Sequence, residues 1–342
     1  EAQAPKAERS QIISSLLEDL KTWIPKIPVI GKAQKGRMSQ EAGYAIMGRI
    51  ALFNQRWDEA ITAYKNVVGK VQLFKSGDGT DYAANYADLF KEQNETAAEV
   101  LLSVHFKGPG LGEGSCFGVC WSAPMNAIEG SMNLCDDFYC IDGLPIDKSP
   151  LFKGSLVQGA HTKANPDMGR YENRDPRMKY TIVCNEMKWP VDPVEIWEGG
   201  TNGLPLQNAT TTGYYLKKYV NNTISFEAGS TVTKKQHNWV LFRYGEILLN
   251  YAEAMINAFH DPNYKDAVYN MSAREAVNQI RGRTNISLPG FPSDITEKDF
   301  VKRLKNERRV ELAFEGHRFW DVRRWKELGQ TANIYGVKIT KN

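Results

Sequence analysis

The stretch ERRVELAFEGHRFWDVRRW, residues 307–325, decides how the rest of the chain is read. Ten of its nineteen residues are charged or histidine, yet Phe314, Phe319, Trp320 and Trp325 are threaded through it. A solvated helix face does not need four large aromatics, and a plain core helix does not need Glu311, Glu315, His317, Asp321 and a run of arginines. Glu307, Glu311 and Glu315 fall at i, i+4 and i+8, so they share one helix face. His317 and Asp321 are also four apart. Such pairs hold metals in carboxylate-bridged sites, but Gly316 interrupts the register between them. Arg308, Arg309, Arg318, Arg323 and Arg324 crowd the same segment, which disfavours a bound cation. The reading that fits is a structural ion network of Glu311, Glu315, Arg318, Asp321 and Arg324, paired in forked geometry and covered by Phe and Trp.

Working outward, the segments on either side carry helical signals. Thr296 is placed as the N-cap of the helix entering this stretch, and Gly316 is placed to end it. Ser272 and Glu275 form a capping box before AREAVNQIRGR. In NWVLFRYGEILLNYAEAMINAF, Tyr244, Ile247, Leu248, Tyr251, Ala254 and Met255 lie on one side. Near the start, Ile13, Leu16, Leu17, Leu20 and Trp23 have helical spacing, stopped by Pro25. Residues 35–70 read as a helical hairpin. Ala42, Ala45, Ile46, Ile50 and Phe53 line its first helix, and Trp57, Ala60, Ile61, Tyr64, Val67 and Val68 line its second. Small residues facing large ones across a short turn is the tetratricopeptide pattern.

Between residues 71 and 238 the helical period gives way to Gly, Pro, Asn, Asp and Thr clusters, with strand-like runs only at AEVLLSVHF and KYTIVC. The expected plan is mainly α: helix pairs over 1–70 and 239–342 around a loop-rich insertion over 71–238, where a binding surface belongs.

Composition narrows the function. The 342 residues are 42% hydrophobic and 24% charged with a net charge of +3, signs interspersed, which gives no basic stripe for nucleic acid. No apolar run reaches the ~18 residues of a spanning helix, and the polar opening EAQAPKAERSQ is not a signal peptide. Asp136, Asp137 and Asp142 are the acids a glycosidase reading would use, but beside Gly-Leu-Pro they read as turn formers. No nucleophile elbow, P-loop or H-E-x-x-H is present, and the five histidines share no spacing. No enzyme and no cofactor is expected. Cys116, Cys120, Cys135 and Cys140 have spacings that zinc knuckles use, without a supporting His. Together with Cys184 they read as a disulfide or as free buried thiols.

The residues then match a family. NERRVELAFEGHRFWDVRRW closely resembles the C-terminal motif of the SusD/RagB family, the surface glycan-binding lipoproteins of Bacteroidetes-type bacteria. NWVLFRYGEILLNYAEA, AVNQIRGRTNI, DFYCIDGLPI, RDPRMKYTI and GYYLKKY resemble further elements of that family, in the right order along nearly the whole chain. The resemblance implies tetratricopeptide-like helix pairs carrying a loop-rich subdomain. That subdomain binds oligosaccharide and caps a SusC-like TonB-dependent transporter at the outer membrane, held there by a lipid anchor. Members usually begin with a lipoprotein signal and further helical pairs, and end in a Pro- and Asn-rich tail. The chain is expected to be a fragment lacking both. Flat aromatics are the expected sugar platforms: Trp121, Trp189 and Trp197, with Tyr171 and Asn126 beside them. The alternatives are capture of a non-glycan nutrient such as peptide, or a protein-binding adaptor.

Overall fold

The computed structural model describes residues 7–34, 36–76, 84–105, 129–154, 168–189, 192–207, 209–220, 239–283 and 286–341. Its elements run, in order, α1 (Arg9–Trp23), α2 (Gln40–Phe53), α3 (Trp57–Lys65), α4 (Ala84–Asp88), β1 (Val100–Val104), α5 (Met132–Asp137), α6 (Met178–Thr181), β2 (Ile182–Val183), β3 (Tyr215–Leu216), β4 (Trp239–Arg243), α7 (Tyr244–Phe259), α8 (Ala273–Arg281), α9 (Glu297–Glu311) and α10 (Arg318–Arg324).

The helices predicted at both ends are present, and they build one core. Ser39 caps α2 by accepting from the Ala42 N–H, and the Ser272–Glu275 capping box opens α8. The hairpin of α2 and α3 closes so tightly that a Cβ on Gly48 would run into the Tyr64 ring. Both helices pack on α7, which is sandwiched by α8 and α9 on its other sides. This corrects the one-sided reading of α7: Tyr244 through Ile256 are all buried, as a helix surrounded by others requires. On α1 only Leu17 is fully enclosed, and Trp23 remains 61% exposed.

One short antiparallel pairing ties the middle segment to this core, and a second lies within that segment. β1 pairs with β4 through Val104↔Trp239 and Ser103↔Val240, and β4 leads straight into α7. β2 pairs with β3 through Ile182↔Leu216 and Val183↔Tyr215. KYTIVC is therefore divided: Lys179 to Thr181 is helix, and only Ile182–Val183 is strand. Tyr180 N–H and the Thr181 hydroxyl both donate to the Arg177 carbonyl, so a helical turn forms before the chain extends. The helix α9 also stops earlier than Gly316. Leu312 caps it, and Phe314 (φ 62°) takes the left-handed conformation ahead of Gly316 (φ 81°) in the turn to α10. Among the described residues no helix is long and apolar enough to cross a membrane.

Candidate functional site

The charged segment folds into a buried ion network on α9 and the turn after it. Glu311 is fully enclosed; Arg243 and Arg283 donate to one of its oxygens at 2.8 and 3.0 Å, and Arg177 donates to the other at 2.8 Å. Glu307 bridges Arg177 and Arg281, each at 2.7 Å. Glu315 takes Arg243 at 2.7 Å and Lys218 at 2.6 Å, and Glu99 closes the ring through Arg243 and Arg283. Burial alone would raise these carboxyls. The guanidiniums outweigh it, holding Glu311 well below the usual carboxylate range and Glu315 down to about 2. Burial also pushes the Lys218 ammonium down to about 8, against the pull of Glu315.

A second ladder runs along α7. Glu246 holds Arg49 in a forked pair, and Asn250 accepts from Arg308. Glu253 receives both Arg324 and the Trp325 indole N–H, the latter at 2.9 Å. Asp321 accepts from Arg308 at 2.7 Å and from Arg324 at 2.9 Å. Glu311, Glu315, Asp321 and Arg324 are thus brought together with arginines as the spacing suggested. Arg318 is not: its guanidinium donates to Gln330 at 3.1 Å and joins no carboxylate among the described residues. The aromatic cover is also only partial. Phe319 and Trp320 are 54% and 57% exposed, because the turn of α10 that buries Asp321 and Val322 aims them at solvent.

Of the three acids read as turn formers only Asp142 is one; Asp136 and Asp137 end α5 and are ion-paired instead. Asp142 accepts from the Leu144 N–H and from Ser149, while Asp136 and Asp137 meet Arg170 and Arg309. Cys135, Cys140 and Cys184 are buried free thiols, so none of these three is in a disulfide; Cys116 and Cys120 lie outside the described residues. Among the described residues no group of His, Cys, Asp or Glu is placed to hold a metal ion.

Of the expected ligand platforms, Trp121 and Asn126 also lie outside the described residues. Trp189 is half-buried on a small cluster of Val183, Val194, Ile196, Tyr215 and Leu216, with the Lys217 ammonium 4.5 Å from its ring centre. Trp197 is half-buried in the following turn, with the Lys341 ammonium 4.6 Å from its ring centre. Tyr171 is turned inward. Its hydroxyl donates to Tyr214 at 3.3 Å, and the two rings stand nearly perpendicular.

A family model described as the SusD family matches residues 71–341. The chain belongs to the SusD family. It is 20% identical, over 94% of its length, to a SusD-like protein of Formosa agariphila. It superposes with a TM-score of 0.76 and 24% identity on the crystal structure of a SusD-like protein from Bacteroides fragilis, covering 98% of this chain and 64% of that one. A SusD-like carbohydrate binding protein of the same species gives 0.72 and 21%, covering 98% and 62%. The chain therefore spans 56% of the length of the Formosa relative and under two thirds of these structures. The helical architecture is that of the SusD-like proteins, with tetratricopeptide-like pairs.

For this SusD-family chain, sequence reasoning passed over most of the network's cations. Arg177, Arg243, Arg281, Arg283 and Lys218 are buried partners of the C-terminal acids, with Glu99 as a further carboxylate. A signal existed: Arg243 and Glu99 each stand among large apolar residues, where an unpaired charge would be costly. Their partners could not be assigned, because they are separated by 68 to 184 positions.

Proposed function

We propose that this chain is part of a non-enzymatic cell-surface protein that captures oligosaccharide and passes it to a SusC-like TonB-dependent transporter in the outer membrane. Membership of the SusD family carries the reading, and the carbohydrate binding named for the Bacteroides fragilis relative gives the ligand class. Trp189 and Trp197 support it from this chain's own residues. Each has a half-buried ring on the loop-rich segment, next to a lysine whose N–H groups suit sugar hydroxyls. The bulk of the binding energy then comes from apolar sugar faces stacked on indole, with polar groups setting orientation. The three-part division at 70/71 and 238/239 belongs to the same proposal.

Isothermal calorimetry against a panel of neutral oligosaccharides tests it. Trp189→Ala and Trp197→Ala are each expected to weaken affinity about tenfold or more while leaving the melting temperature nearly unchanged. Unaltered affinity in both would remove the platform assignment, and no binding across the panel would remove the glycan reading.

A further inference from the structure

A cleft of about 920 Å³ opens between α1, the α2–α3 turn, α7, α9 and the end of α10, well away in sequence from Trp189 and Trp197. Phe53, Trp57 and Trp325 contribute half-buried rings to its wall. Six of the lining residues are cationic, and Glu253 is the single acid among them. Part of that charge is already spent. Arg324 is held by Glu253 and Asp321, Lys305 meets Glu327 at 2.6 Å, and Arg56 approaches Glu59 at 3.5 Å.

Three cations join no carboxylate among the described residues. Arg9 donates only to the Asn54 amide oxygen, at 2.9 Å. The Arg323 guanidinium lies 4.0 Å from the Phe319 ring centre. Lys326 is exposed at the rim. We propose that this cleft binds an acidic oligosaccharide, one carrying uronate or sulfate groups. Flat rings receive the C–H faces of sugars, while guanidinium and ammonium groups at the edge receive the anions. The volume is at the upper end for a small-ligand site, enough for a few sugar rings. An acidic peptide fits less well: peptides held by their backbones seek an open strand edge, and every wall here is helix or turn. The ligand class rests on the carbohydrate-capture reading, but the surface is separate from its indole platforms.

The test is calorimetry on the whole chain with a galacturonate tetramer, a sulfated tetrasaccharide and their uncharged counterparts. Binding of the two charged sugars is expected to be at least tenfold tighter than that of the uncharged ones and to weaken as salt is raised. In the double variant Arg323→Gln/Lys326→Gln it should fall at least fivefold with an unchanged melting temperature. Equal affinity for charged and uncharged sugars would overturn the inference and leave the capture reading standing. So would an unaffected double variant, or poly-glutamate binding in place of the sugars. Inorganic sulfate binding as tightly as the sulfated sugar would reduce the cleft to an adventitious ion only. Failure of every sugar to bind would remove both.

Discussion

At Glu311 three guanidiniums converge on one enclosed carboxylate, and each of its oxygens is occupied. Arg243 in turn touches Glu99, Glu311 and Glu315, so removing one acid leaves buried cations under-compensated. Pairs of this kind add little net stability compared with apolar side chains of the same volume, but breaking one is expensive. Glu311→Ala is therefore expected to cost about 3–5 kcal/mol, measured by urea unfolding. A loss under 1 kcal/mol would mean that water reaches the site or that the carboxylate is not the hub. The exposed Phe319 and Trp320 differ in kind: more than half of each faces solvent, and their spacing alone could not show which way α10 would turn.

Helix α2 shows how an element is fixed by its smallest residue. Gly48 sits mid-helix, where alanine would ordinarily gain about 1 kcal/mol of helix propensity. A Cβ there would collide with the ring of Tyr64, fully buried on α3. Overpacking costs about 1–3 kcal/mol, so Gly48→Ala should lower the melting temperature, read by circular dichroism. An unchanged or higher value would refute the close approach. The helices themselves were legible because their caps and apolar spacing are local: Ser272 with Glu275, Thr296, and the α2–α3 stripe. The full burial of α7 was not. Glu246, Asn250 and Glu253 look like a solvent face until Arg49 arrives from α2, and Arg308 and Arg324 from α9 and α10. The first half of KYTIVC misled for a local reason, since its β-branched residues outweighed the turn set by the preceding Asp-Pro-Arg. The proposed ligand platforms were legible only as residue types, because which aromatic stays accessible depends on loop packing that no spacing encodes.

Across the whole molecule the network joins what the composition seemed to separate. Arg177 and Lys218 come from the loop-rich segment, yet their partners Glu307, Glu311 and Glu315 belong to α9 and the turn after it. Acid should therefore undo the fold as one unit. Glu311 and Glu315 have folded-state pKa values depressed below their ordinary 4.5, Glu315 to about 2. A depressed carboxyl gives stability that is fully present above pH 4.5 and is lost as pH falls toward 2. Stability is thus expected to decline steeply over that window, with helical circular dichroism and tryptophan fluorescence changing together. Two separated transitions would show that the loop-rich segment and the helices stand independently.

The pairing of Glu99 with Arg243 spans 144 residues, and its other partner, Arg283, lies 184 positions away. A ribosome building this chain completes the α2–α3 hairpin, then exposes Glu99 long before either arginine has been synthesised. A lone carboxylate remains hydrated rather than enter an apolar interior, so β1 has to wait outside. Assembly is therefore late and non-local, and slow by the logic that links distant contacts to sluggish folding. A nascent chain stalled before residue 243 would hold Glu99 without either of its arginines.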